Sequence, residues 1–238
     1  MFTKSPNTGT TYKSIPPGPN IPVQPNPPPG PSGCILGTEP HEIFTCRLKW
    51  SILDSPFNAE LLSLDTEEKA QWTPLFSDPT ADQAATNPPV SRLEININTL
   101  EEWEHWLQAH EKSPGSGLIE NTDGRPITVR QLLEGFYDYA LPLRTVLCRC
   151  CDIWGAEGEA RTHFYFTFLW LYGSDPESGR PDAVASVDVT EDTDEEGDNW
   201  ASQLELMETL YRKHLTSNRT GAPCNTWNEF SSARLLDA

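Results

Sequence analysis

Residues 125–143 read RPITVRQLLEGFYDYALPL and carry the clearest local folding instructions in the chain. Thr128 stands where a helix N-cap belongs. Gln131, three positions on, can return a hydrogen bond to the cap amide, and Ile127 faces Leu132 as a hydrophobic staple. Val129, Leu132, Leu133, Phe136, Tyr137 and Ala140 then recur at helical spacing, so one face is apolar and must be buried. Pro142 marks the stop. The spacing predicts a helix over 128–141 that anchors a fold and carries no evident chemistry.

Working outward, alternation of Phe44, Cys46, Leu48, Trp50 and Ile52 predicts one strand over 42–53 with a single buried face. Residues 54–89 read as connection with a helical turn near Leu61 to Leu64, interrupted by Pro74, Pro79, Pro88 and Pro89. Leu93, Ile95 and Ile97 give a second strand. Asn98 to His110 reads as a helix opened by Thr99 and Glu102, with a strand edge as the competing reading of Trp103 and Trp106. Residues 112–121 read as a loop, 145–153 as a helix or a strand, and 155–160 as a turn. The aromatic and β-branched run from His163 to Tyr172 is a strand that is central or meets a partner. Ser174 to Val189 reads as a polar connector and the acidic block Glu191 to Asp198 as disordered. Trp200, Leu204, Met207 and Tyr211 form one stripe of a following amphipathic helix.

The 238 residues include 22 prolines, eight Trp and nine Phe, unevenly spread, which fits one cored domain with tails. The expected division is a proline-rich disordered tail over 1–39, an α+β domain over 40–175, an acidic linker over 176–198, and an amphipathic helix with a tail over 199–238. The domain is a small antiparallel or mixed sheet packed against one or two helices. A formal net charge of −18 argues against binding nucleic acid or an anionic membrane, both of which reward Lys and Arg. The first residues lack the apolar run of a secretory signal, and Phe164 to Tyr172 is far shorter than the roughly 20 residues that span a bilayer. The expectation is an intracellular chain, cytoplasmic or nuclear, whose six cysteines are free thiols.

Three stretches of the middle, taken together, carry a resemblance. They are Leu48-x-Trp50-x-Ile52, Ala85-Thr86-Asn87-Pro88-Pro89-Val90 leading into Leu93-x-Ile95, and Ile127-Thr128-Val129 followed by Leu132 and Leu133. Over roughly residues 48–172 the chain resembles an uncharacterised intracellular domain family abundant in fungi, a domain of unknown function. It departs from that pattern at Ser51 and Gln131, where acidic residues are usual. The resemblance implies a small α+β domain and no site.

Two features offer function. In the tail, Pro16, Pro19, Pro22, Pro25, Pro28 and Pro31 recur every third residue and so share one edge of a polyproline II helix. Lys13-x-x-Pro16-x-x-Pro19 matches the ligand pattern of SH3-like domains, where prolines fill aromatic grooves and the cation meets an acidic pocket; the competing reading is a stiff linker. The second feature is Cys148-x-Cys150-Cys151 with His163, candidates for zinc or for a thiol nucleophile, against buried reduced cysteines that pack as small apolar groups. His105 and His110 lack metalloprotease spacing, and no phosphate-cradling loop follows a strand.

The reading that results is a non-catalytic protein-interaction module without a cofactor. Its partner-binding residues are Lys13, Pro16, Pro19 and Pro22 in the tail and Trp200, Leu204 and Met207 on the C-terminal helix. The alternatives are a thiol-dependent or zinc-binding enzyme on the Cys148, Cys150, Cys151 and His163 cluster, and a structural domain.

Overall fold

A computed structural model describes residues 38–102, 112–173, 183–193 and 198–220. In chain order the elements begin with β1 (Glu39–Pro40), the single turn α1 (Ile43–Cys46) and β2 (Leu48–Lys49). A hairpin follows, β3 (Glu60–Leu64) and β4 (Ala70–Pro74), then β5 (Thr86–Asn87), β6 (Arg92–Ile97), α2 (Asn98–Glu102) and β7 (Gly117–Glu120). The capped helix is α3 (Val129–Ala140). After it come α4 (Arg144–Cys150), α5 (Ala156–Arg161), β8 (Thr162–Gly173), β9 (Ala183–Thr193) and α6 (Asp198–Thr220). Short 3-10 turns at Pro56–Asn58, Leu75–Ser77, Pro79–Asp82 and Leu141–Leu143 join them. The fold is α+β.

A mixed four-stranded sheet, ordered β7-β6-β9-β8, is the frame. β6 and β9 run parallel and the other pairs antiparallel, with β8 and β9 matched along their length except for a register shift between Phe166 and Phe168. The expected helix forms as read: Thr128 Oγ1 accepts from Gln131 N at 3.2 Å, and Thr128 N donates to Gln131 Oε1 at 3.0 Å. Ile127 and Leu132, the staple pair, are both buried. The helix lies so close to the sheet that a Cβ on Gly135 would stand 2.3 Å from Ile119 Cδ1, and one on Gly117 of β7 would stand 3.1 Å from Tyr139 of the helix as well as 2.8 Å from Ile95 on the neighbouring strand. Glycine is required there by packing.

Among the described residues the buried hydrophobic side chains fall mainly into two clusters. The larger joins Phe44, Leu48, Trp50, Ile52, Leu93, Ile95, Phe136, Phe164, Phe166 and Val187 between the sheet and α3; the smaller joins Cys46, Leu62, Phe168, Leu210 and Tyr211 beneath α6. This division corrects several sequence expectations. The single strand over 42–53 is a helical turn, a two-residue strand and a bridge from Ser51 to Tyr165. Cys46 serves the smaller cluster and its alternating neighbours the larger, so the alternation never described one face. The turn expected at Leu61 to Leu64 is strand β3, with Leu61 and Leu62 pointing into opposite clusters.

Residues 117–120 form edge strand β7 rather than loop, and 156–161 form a helix with an Arg161–Glu157 ion pair at 2.7 Å rather than a turn. The boundary at 175 and the acidic linker over 176–198 are also corrected. Residues 183–193, including Glu191 and Asp192, are strand β9, which lies inside the sheet between β6 and β8. Its inward positions are Ala183, Ala185 and Val187, small or β-branched, with Ser186 and Asp188 on the alternate face. Asp188 accepts from Asn98 Nδ2 and, at 2.8 Å, from Trp170 Nε1, while Ser186 Oγ donates to Asn98 Oδ1. A strand read as a charged spacer is thus polar on one face because those groups bond to one another. The 98–110 helix begins at Asn98, and its residues 103–110 lie outside the described set. No helix among the described residues is long and apolar enough to cross a membrane.

Candidate functional site

The cysteine cluster is distributed by α4. Cys148 is fully buried in the larger cluster, while Cys150 and Cys151 are half-buried at the helix end. Burial pushes all three thiols up: Cys150 to about 11, and Cys151 to about 12, where the Glu191 carboxylate adds to the effect. A nucleophilic or metal-binding thiol needs the opposite shift. His163 sits at the start of β8, with Nδ1 3.4 Å from Asp54 Oδ2 and its ring stacked on Tyr165 at 5.7 Å. Among the described residues no three His, Cys, Asp or Glu are grouped to hold a metal ion, so Cys148, Cys150, Cys151 and His163 do not form that centre.

The α6 stripe is used internally. Trp200 lies flat on Tyr165, ring centroids 4.0 Å apart and planes 4° apart, and is 7% exposed. Met207 and Leu210 are buried, Leu204 is half-buried, and the Arg47 guanidinium stands over the Tyr211 ring at 4.8 Å. Trp200 and Met207, expected to meet a partner, are therefore buried within the chain's own fold, Trp200 against Tyr165 of β8. Lys13, Pro16, Pro19 and Pro22 lie outside the described residues.

An exposed site that the sequence did not announce is built at the start of α3. Arg130 is in the first helical turn, where the macrodipole disfavours a cation. It is held by three contacts: its guanidinium caps the Phe76 ring at 4.3 Å, Nε meets Asp82 Oδ1 at 3.1 Å, and Nη2 donates to Phe76 O at 3.4 Å. Phe57 stands edge-on to Phe76, centroids 5.2 Å apart, and is 69% exposed. Asp78 fixes the supporting turn: hydrogen bonds from Thr80 hold its carboxyl below the usual range. The turns Pro56–Asn58, Leu75–Ser77 and Pro79–Asp82 present Phe57, Phe76 and Asp82 from separate segments. No periodicity links Phe57, Phe76 and Arg130, and the only sequence signal was a cation in a helix's first turn.

Beside this shelf, segment 83–90 is laced on two sides. Ala85 N donates to Ile127 O at 2.9 Å, Ile127 N to Val90 O at 2.8 Å and Val129 N to Gln83 O at 2.9 Å, while His41 N reaches Ala85 O at 2.8 Å. The Ala85-to-Val90 and Ile127-Thr128-Val129 stretches are thus direct neighbours. The Leu48-to-Ile52 stretch instead rests on β8, with Ile52 N donating to Phe164 O at 2.8 Å and Phe166 N to Trp50 O at 2.9 Å. All three are parts of one framework. Comparisons with protein-family models, with curated proteins and with solved structures find no match to this chain.

Proposed function

We propose that the chain is a non-catalytic protein-interaction module whose N-terminal segment presents Lys13, Pro16, Pro19 and Pro22 as a polyproline-type ligand to an SH3-like domain. The observation that carries the reading is the register of that segment: prolines at every third position from 16 to 31, preceded by a cation at the spacing such grooves accept. The burial-raised thiols of Cys148, Cys150 and Cys151 support it by disfavouring the thiolate form that nucleophilic chemistry uses.

The test is equilibrium binding of the full chain to a panel of SH3 domains, for the wild type, for Lys13→Glu, and for the double variant Pro16→Ala/Pro19→Ala. Each variant should weaken the best binder by about tenfold, equivalent to about 1.4 kcal/mol. Absence of binding throughout the panel, or affinities indifferent to both variants, would reject the reading.

A further inference from the structure

We propose that the Phe57–Phe76–Arg130 shelf receives this chain's own proline-rich segment, residues 16–22, with Lys13 meeting the Asp82 carboxylate. The inference rests on reading that segment as a polyproline-type ligand, and three observations carry it.

The first is chemical fit. Polyproline ligands seat their prolines against exposed aromatic rings, with a carboxylate nearby for the flanking cation. Phe57 is two-thirds exposed and braced edge-on by Phe76, whose own position is fixed by Arg130. The Asp82 side chain, 72% exposed, retains a solvent-facing side beyond its contact with Arg130.

The second is charge. All 35 acidic residues lie at or beyond Glu39, whereas residues 1–38 carry Lys4 and Lys13 and no acid. The field of the domain therefore attracts its own N-terminal segment and repels most acidic competitors.

The third is attachment. The segment joins the fold at β1, whose Glu39 and Pro40 pair with Asn87 and Thr86. His41 Nε2 then contacts Gln83 Oε1 at 2.9 Å, and Gln83 directly follows Asp82 of the shelf. The root of the segment is thus one residue from the shelf's carboxylate. Residues 13–22 in polyproline II form measure about 28 Å, and the chain from Pro22 to Glu39 can span up to about 53 Å in an extended form, so Lys13 can stand at Asp82 with the prolines along the shelf. Tethering at that range gives an effective concentration of order millimolar, enough to populate a contact too weak to hold between separate molecules.

Native-state trypsin cleavage of the full chain, followed by mass spectrometry, tests this. Docking protects the Lys13–Ser14 bond and leaves Lys4–Ser5 as an internal reference. Cleavage after Lys13 should be about tenfold faster in Phe57→Ser and in Pro16→Ala/Pro19→Ala/Pro22→Ala than in the wild type, with Lys4 cut equally in all three. The proline variant leaves the domain intact, so loss of protection there is not a folding effect. Equal rates at Lys13 in the three chains overturn the proposal. Protection that fades on dilution in step with a dimer mass also overturns it, because the shelf is then filled by a second copy. Neither readout involves an SH3 domain, so failure here is distinguishable from failure of the proposed function.

Discussion

Asn121 and Gln131 exchange hydrogen bonds through their side-chain amides, Nδ2 to Oε1 at 3.2 Å and Nε2 to Oδ1 at 3.0 Å. Asn121 Nδ2 also reaches the carbonyls of Arg125 and Pro126, at 3.1 and 3.0 Å, so one amide ties the approach loop to the helix cap. A glutamate at 131 would complete the capping box but has no N–H to offer Asn121 Oδ1. The amide at 131 therefore serves the loop as well as the helix. Asn121→Ala and Gln131→Ala should each cost about 1–2 kcal/mol in urea unfolding, and the double variant should show a coupling near 1 kcal/mol. Strict additivity would show that the amide pair contributes nothing of its own.

Gly135 sets a second test, because two effects oppose each other there. Alanine in a helix interior gains about 1 kcal/mol over glycine. The added Cβ, however, would stand 2.3 Å from Ile119 Cδ1 and 2.7 Å from Ile119 Cγ1. Overpacking costs about 1–3 kcal/mol, so Gly135→Ala should be net destabilising by about 1 kcal/mol. Ile119 lies on edge strand β7 and is only half-buried, and truncating it to alanine removes both clashing atoms. Gly135→Ala on an Ile119→Ala background should therefore be neutral or stabilising, and a thermal midpoint that falls equally on both backgrounds would count against the contact.

These two sites also mark how far the sequence could be read. The α3 cap, staple and apolar face are encoded within a dozen residues, and all appear as the spacing predicts. The strands around Leu93 to Ile97 and His163 to Tyr172 were legible for the same local reason. β3 and β9 were not. β3 buries consecutive leucines on opposite sides, which erases alternation, and β9 offers Ala183 and Ala185 inward and acids beyond, which resembles a linker. Its place between β6 and β8 is fixed by pairing with residues distant in sequence, as in Ser186 with Asn96, 90 positions back, and with Trp170, 16 positions back. The shelf was hidden similarly. Phe57, Phe76 and Arg130 come from three segments, and only tertiary packing stacks them.

Trp200 gives a third prediction, about where α6 obtains its stability. Its ring is stacked on Tyr165 at 4.0 Å, yet its buried Nε1 finds no hydrogen-bond partner among the described residues. Trp200→Ala removes the stack and should cost about 3–5 kcal/mol. Trp200→Phe keeps an aromatic face and removes the unsatisfied N–H, so its cost should be under about 1 kcal/mol. Chemical denaturation of the two variants decides this. A phenylalanine variant as damaged as the alanine one would place the energy in the indole's own shape rather than in the stack.

The thiols make the stability of the fold depend on alkaline pH in a defined direction. An unfolded cysteine ionises near about 8.5, whereas burial pushes Cys150 to about 11 and burial with Glu191 pushes Cys151 to about 12. Between those values the unfolded chain sheds its thiol protons while the folded chain keeps them. A raised folded pKa means the contribution is fully present below about 8.5 and is lost as pH rises toward the folded values. Stability should therefore be flat with respect to these groups up to about pH 8.5 and then decline. Tyr139, raised to about 12 by burial and by Glu101 and Glu94, joins only above the ordinary tyrosine value near about 10. The interval from about pH 8.5 to 10 thus isolates the cysteines. Cys151→Ala should flatten the decline across that interval whatever it does to the baseline, and Cys150→Ala should flatten it by a similar slope. A wild-type profile already level from pH 8 to 10 would mean that both thiols ionise as freely in the fold as outside it.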